Sequence, residues 1–195
     1  SDALTVIDDT SVTNRRVAFP AGELPTNSSG IVIDPMAWNR NDGFSANSPL
    51  LTWIEDFNPQ ASKLPSWTDL ASSLSADSSA VLVDTTSGDR IPLWAEVDVD
   101  SAADDGQLLV VRPAISLGPA TTYAVGLRNL VTTDGTPVEP SPMFLTYRDG
   151  LATDIAEVEA RRDEFESTFD ALDAAGGWAV ATPEPEGLTL ETAIA

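Results

Sequence analysis

The string Gly43-Phe44-Ser45-Ala46-Asn47 is the nearest approach in this chain to a serine-hydrolase signature. It lacks the second glycine with which a nucleophile elbow makes its tight turn, and it follows a loop where a strand is required. The base is missing too: there is no histidine among the 195 residues to take and return a proton in acyl transfer. Lys63 is the only lysine, and Ala61-Ser62-Lys63-Leu64-Pro65 does not have the Ser-x-x-Lys spacing. A self-contained serine hydrolase is therefore not expected, and zinc sites built on histidine or cysteine are excluded because the chain contains neither.

Carboxylates are the remaining chemical resource, with 31 acidic residues against 10 basic ones and a formal net charge of -21. Pairs for glycoside cleavage can be chosen almost at will from so many acids, so no pair is singled out. Asp84-Thr85-Thr86-Ser87-Gly88 resembles the Asp-Thr-Gly loop of aspartic proteases, but a threonine stands where the glycine belongs and there is no second copy. A β-turn is the expected use of those residues. Calcium, which takes oxygen ligands and tolerates loop geometry, is a better functional candidate than catalysis for Asp98, Asp100, Asp104 and Asp105 ahead of Gly106. Asn39, Asn41 and Asp42 ahead of Gly43 form a second cluster; neither has EF-hand spacing, and a solvated acidic turn is the alternative for both.

Trp38, Trp53, Trp67, Trp94 and Trp178 offer aromatic surface, and Trp38 and Trp53 are the candidates for a sugar-stacking or protein-binding platform. The competing expectation is that such rings anchor a core. The acidic balance disfavours nucleic acid and anionic membranes, whose recognition needs basic contacts. No run approaches the ~20 apolar residues of a membrane span, so no membrane insertion is expected. Without cysteine the chain gives no reading of redox compartment.

Four segments must position these groups. Residues 1–78, rich in Pro, Asn, Ser and Asp, read as an irregular region of short strands that wraps the rest, with a short helix from Ser66 to Leu74. Residues 79–150 alternate as strands: Ala80 to Val83, then a turn at Ser87-Gly88-Asp89 into Ile91 to Val99, then Leu108 to Val111 and Tyr123 to Leu127. The last two read as a hairpin across Leu117-Gly118-Pro119, closed by Asp134-Gly135. Residues 151–177 read as one amphipathic helix, in which Ile155, Val158, Phe165, Phe169 and Leu172 share a face and Gly176-Gly177 stops the run. Residues 178–195 read as a strand, a linker toward a following domain and the start of another helix.

Thr13 to Val17, Trp38 to Ser45, Tyr123 to Leu130 and Phe144 to Gly150 come in an order that resembles the N-terminal immunoglobulin-like region of bacterial virulence-factor lipases, secreted proteins of the α/β-hydrolase type. The resemblance implies a mainly β fold: an immunoglobulin-like β-sandwich with an irregular N-terminal wrap and one C-terminal amphipathic helix. It implies an extracellular or cell-surface setting, a hydrolase-like domain following in the same protein as partner, and the role of a non-catalytic accessory module. No catalytic residue carries over, because the family's Gly-x-Ser-x-Gly, acid and histidine are absent. A stand-alone adhesin binding a surface glycan or protein, and a surface-layer or filament subunit, are the alternatives.

Overall fold

The computed structural model describes residues 4–22, 24–99 and 106–176, and the backbone of 191–194. The chain is mainly β, mostly short strands in three small antiparallel sheets, and it divides into two compact units, Ser1–Ser48 and Pro49–Ala195.

In the first unit, β1 (Thr5–Ile7) pairs with β2 (Arg15–Val17), Thr5 opposite Val17. Val17 is the one buried apolar residue among those described there, so polar contacts hold the loops. The Asn39 side chain accepts from the Phe19 N–H at 2.8 Å and donates to the Phe19 carbonyl at 3.0 Å. Asp8 accepts from Thr10 and from the Arg16 guanidinium. Those bonds, the Thr10 hydroxyl foremost, hold the Asp8 carboxyl down at about 2.

The second unit has two sheets, ordered β3 (Leu50–Ile54), β6 (Gln107–Pro113), β5 (Leu93–Val97), and β4 (Ala80–Asp84), β7 (Tyr123–Arg128), β8 (Glu191–Ile194). Side chains alternate across a strand, so one parity of each sheet faces a common core. Ile54, Ala95, Leu109 and Val111 meet Leu82, Val125 and Leu127 there. The opposite parity of β4 and β7, Val81, Val83 and Ala124, packs against Phe144 and Leu172 from α1 (Pro142–Arg148) and α3 (Arg162–Ala174). Being covered on both faces explains why Ala80 to Val83 is an unbroken apolar run.

Several expectations change. β6 and β7 are not a hairpin: they belong to different sheets, and residues 114–122 carry the chain between them. That connection exceeds the two to five residues of ordinary hairpin loops, and the core demands inward residues from both strands. The turn at Ser87-Gly88-Asp89 forms as expected, with Gly88 at φ +77°, yet it does not produce a β4–β5 hairpin. Only Val83 and Arg90 bridge before β5 pairs with β6. β3, placed by sequence in the irregular N-terminal region, pairs with β6 as a strand of this sheet and belongs to the second unit. Leu70–Leu74 is a 3-10 turn begun by Asp69 in place of a helix begun at Ser66.

The expected single helix over 151–177 is interrupted. α2 (Ala156–Glu159) ends at Ala160 and α3 starts after Arg161, while Val158 and Leu172 are buried and Ile155 is half exposed. α1 occupies residues read as the end of the sandwich: Ser141 caps it by accepting from the Phe144 N–H at 3.2 Å, with Pro142 in the first turn. Tyr147 stacks on Phe165 with centroids 3.8 Å apart, and Phe144 meets Phe169 edge-on at 5.8 Å, so aromatic pairs tie α1 to α3. The backbone of Glu191–Ile194 is a strand antiparallel to β7, not a helix start.

Candidate functional site

The outer face of the β3-β6-β5 sheet is one place where the second unit exposes apolar side chains that its core does not use. Register fixes its members: Leu51 lies opposite Val110 and Val110 opposite Glu96, while Trp53 lies opposite Leu108 and Trp94 opposite Arg112. Leu51 is 55% and Trp53 49% exposed, whereas Val110 in the middle strand is buried among its neighbours. Arg112 Nε donates to Glu96 Oε1 at 2.6 Å, which supplies a polar border to an apolar centre. Trp53 and Trp94 stand at diagonal corners, about 17 Å apart from strand spacing and rise.

Trp53 is held against the backbone. A Cβ on Gly106 would come 2.7 Å from the Trp53 indole nitrogen and 2.8 Å from the Ile54 carbonyl, and Gly106 has φ +115°. Glycine is required there on both counts. The ring packs against the Gly106 backbone with about half of its surface facing solvent.

A cleft of about 630 Å³ adjoins β3. It is lined by Thr52 to Asp56, by Leu127 and Leu130, and by the segment from Thr136 to Pro142. One end is closed where Phe57 bridges Thr132 and Thr133 N–H donates to the Asp56 carbonyl at 3.1 Å. Asp134, at the nearby Asp-Gly turn, accepts chiefly from the Thr132 hydroxyl and also from Thr136, and those bonds lower its carboxyl from the usual range.

The residues singled out by sequence fall in different places. Trp38 belongs to the first unit and is 46% exposed, Trp53 belongs to the second, and Trp67 is 70% exposed. The expectation that these three anchor a core is thus overturned: their neighbourhoods are loops and a sheet's outer face. Trp178 lies outside the described residues, as do Asp100, Asp104 and Asp105. Of that proposed calcium loop, Asp98 is described, and its N–H donates to the Leu108 carbonyl at 2.9 Å. No group of three or more acidic residues that could hold a metal exists among the described residues. In the second acidic cluster the Asn39 amide is already committed to Phe19.

Ser45 accepts from the Asn47 N–H at 3.2 Å within a turn. The buried Ser62 hydroxyl donates to the Asn58 carbonyl at 2.8 Å and accepts from Val131 N–H at 2.9 Å, so Ser62 joins two loops. Asp84 accepts from the Thr86 and Ser87 N–H groups at 2.8 and 3.1 Å, which makes Asp84 to Gly88 a side-chain-braced turn. Sequence reasoning missed Leu51, Leu108 and Val110. The available signal was that Leu50-Leu51-Thr52-Trp53-Ile54 is apolar at both parities, although the described residues pack a core against one face only.

No described helix is long and apolar enough to cross a membrane. No protein-family model matches the chain, and no curated protein or solved structure matches it either.

Proposed function

We propose that the chain is a non-catalytic N-terminal accessory module of a larger lipase- or esterase-like protein, exported or held at the cell surface, and that its second unit is an immunoglobulin-like sandwich. The observation that carries this reading is the outer face of β3-β6-β5, where Leu51 and Trp53 are exposed beside a well-packed core. An apolar face of that kind serves contact with a partner. The partner is the hydrolase-like domain following in the same protein, as the family resemblance implies. Strand connections that cross between sheets, β4 to β5 and β6 to β7, fit a sandwich of this type. The mechanism is steric: the sandwich buttresses its neighbour, and the net charge of -21 keeps the exported protein soluble. A calcium ion at Asp98, Asp100, Asp104 and Asp105 belongs to the same proposal, and calorimetry showing no heat with millimolar calcium would remove it.

Two measurements test the reading. The purified chain should not turn over a chromogenic acyl ester; turnover abolished by Ser45→Ala overturns the non-catalytic role. The reading frame beyond residue 195 should encode a Gly-x-Ser-x-Gly turn and a later histidine, and a stop codon there defeats the accessory role. Exposure of Trp38, Trp53 and Trp67 favours a second reading, a glycan-binding or adhesive module. Glycan-array binding lost in Trp38→Ala and Trp53→Ala, with the fold intact, would establish it.

A further inference from the structure

β3 ends its sheet: one edge pairs with β6, and among the described residues no strand pairs with the other. The open edge of such a strand carries backbone N–H and C=O groups that form a template for another extended chain. Here the strand borders the cleft of about 630 Å³, a volume within the range of ligand sites. The facing segment contributes Pro137, Pro140 and Pro142, which have no N–H with which to satisfy the β3 carbonyls. Charge then selects among extended chains. The lining includes Glu55, Asp56 and Glu139 and contains no lysine or arginine. Asp56 already accepts from the Thr133 hydroxyl, which leaves Glu55 and Glu139 as the carboxylates offered to a newcomer.

We propose that this cleft binds an extended peptide segment bearing lysine or arginine, which adds as a strand to the open edge of β3 and sets its cations against Glu55 and Glu139. Main-chain pairing supplies the affinity, and the acidic walls supply the choice of partner. The inference is independent of the lipase-like reading, since it needs only the sheet edge and the charges beside it.

The test titrates the intact chain with an end-capped peptide of about eight residues alternating Lys and Val, enough to span a strand of ordinary length. A second peptide replaces a central Val with Pro, keeping the charge but blocking pairing, and a third carries Glu for Lys. The alternating peptide should bind and slow amide hydrogen exchange within Leu50–Ile54, while the Pro peptide binds about tenfold more weakly and the Glu peptide does not bind. In the Glu55→Gln, Glu139→Gln double variant, with an unchanged circular dichroism spectrum, affinity should fall about tenfold. Equal binding of the Pro peptide without protection of Leu50–Ile54 would mean non-specific charge attraction and overturn the proposal. So would an absence of binding, protection at the β5 edge instead, or protection of β3 by self-association at high protein concentration without peptide.

Discussion

β4 and β7 are covered on one face by the shared core and on the other by α1 and α3, whereas among the described residues β3, β6 and β5 pack on the core face and leave Leu51 and Trp53 exposed on the other. The sequences barely announce this difference. Ala80-Val81-Leu82-Val83 and Leu50-Leu51-Thr52-Trp53-Ile54 are both mostly apolar, yet the first is wholly buried, while in the second Leu51 and Trp53 are exposed, Leu50 and Thr52 half-buried and only Ile54 buried. Burying Val81 and Val83 under the helices stabilises the fold by about 1.5–3 kcal/mol for each side chain. Leu51 and Trp53 forgo much of that gain.

The comparison breaks most readily at its packed side. Leu82→Ala, between the sheets, and Leu172→Ala, under the helices, should each destabilise the unit by about 2–5 kcal/mol in urea titrations. Leu51→Ala should stay within about 0.5 kcal/mol of the parent. If Leu51→Ala costs as much as Leu82→Ala, the outer face is covered in solution and the contrast disappears. Gly106→Ala comes next: the positive φ and the approach to Trp53 and Ile54 predict a loss of about 1–3 kcal/mol. It should also shift the Trp53 indole N–H resonance, because the ring must move; an unmoved resonance would show that Gly106 does not seat the ring. Trp53→Ala itself should cost less than about 1 kcal/mol while abolishing whatever contact the face makes.

Much of the second unit was legible in the sequence, element by element. β4, β5, β6 and β7 lie where alternation and β-branched runs place them, and Asp134-Gly135 turns as its residues require, with Gly135 at φ +86°. Pairing was not legible. A strand's own residues state which faces are apolar, but not which sheet its neighbour joins, so β6 and β7 read as a hairpin although they lie in opposite sheets. α1 escaped notice because Phe144, Thr146 and Tyr147 have strand-like side chains, while the signal that decides the matter is Ser141-Pro142 at its start. The break before α3 follows no glycine or proline, and Arg162 marks it instead by donating to the Leu151 carbonyl at 2.8 Å and to Glu159. As for the site, Trp53 was visible as a residue type. Its placement was not, since exposure depends on β3 joining β6 and on the described helices packing against the other sheet.

Acid sharpens the same comparison through the layer that covers β4 and β7. Glu159 accepts from the Arg162 guanidinium, which is the main cause of its lowered carboxyl, and then from the Thr153 N–H and hydroxyl at 2.9 Å; together they bring it from 4.5 to about 2. A carboxyl lowered on folding stabilises the native state fully above its unfolded value and loses that contribution as pH falls through the folded one. The Thr153 amide shift should therefore titrate between pH 4.5 and about 2, with its midpoint at the low end. Because the groups lie at the surface, the effect on global stability is small, and local amide exchange is the proper readout. Glu159→Gln should accelerate exchange at Thr153 and in the first turn of α3 at neutral pH while leaving the amides of β3 and β6 unchanged. A Thr153 shift centred near 4.5 would mean that the carboxylate does not hold this junction. Faster exchange in β3 would mean that the two sheets share one cooperative response, so that the helical cover stabilises the open sheet as well as the covered one.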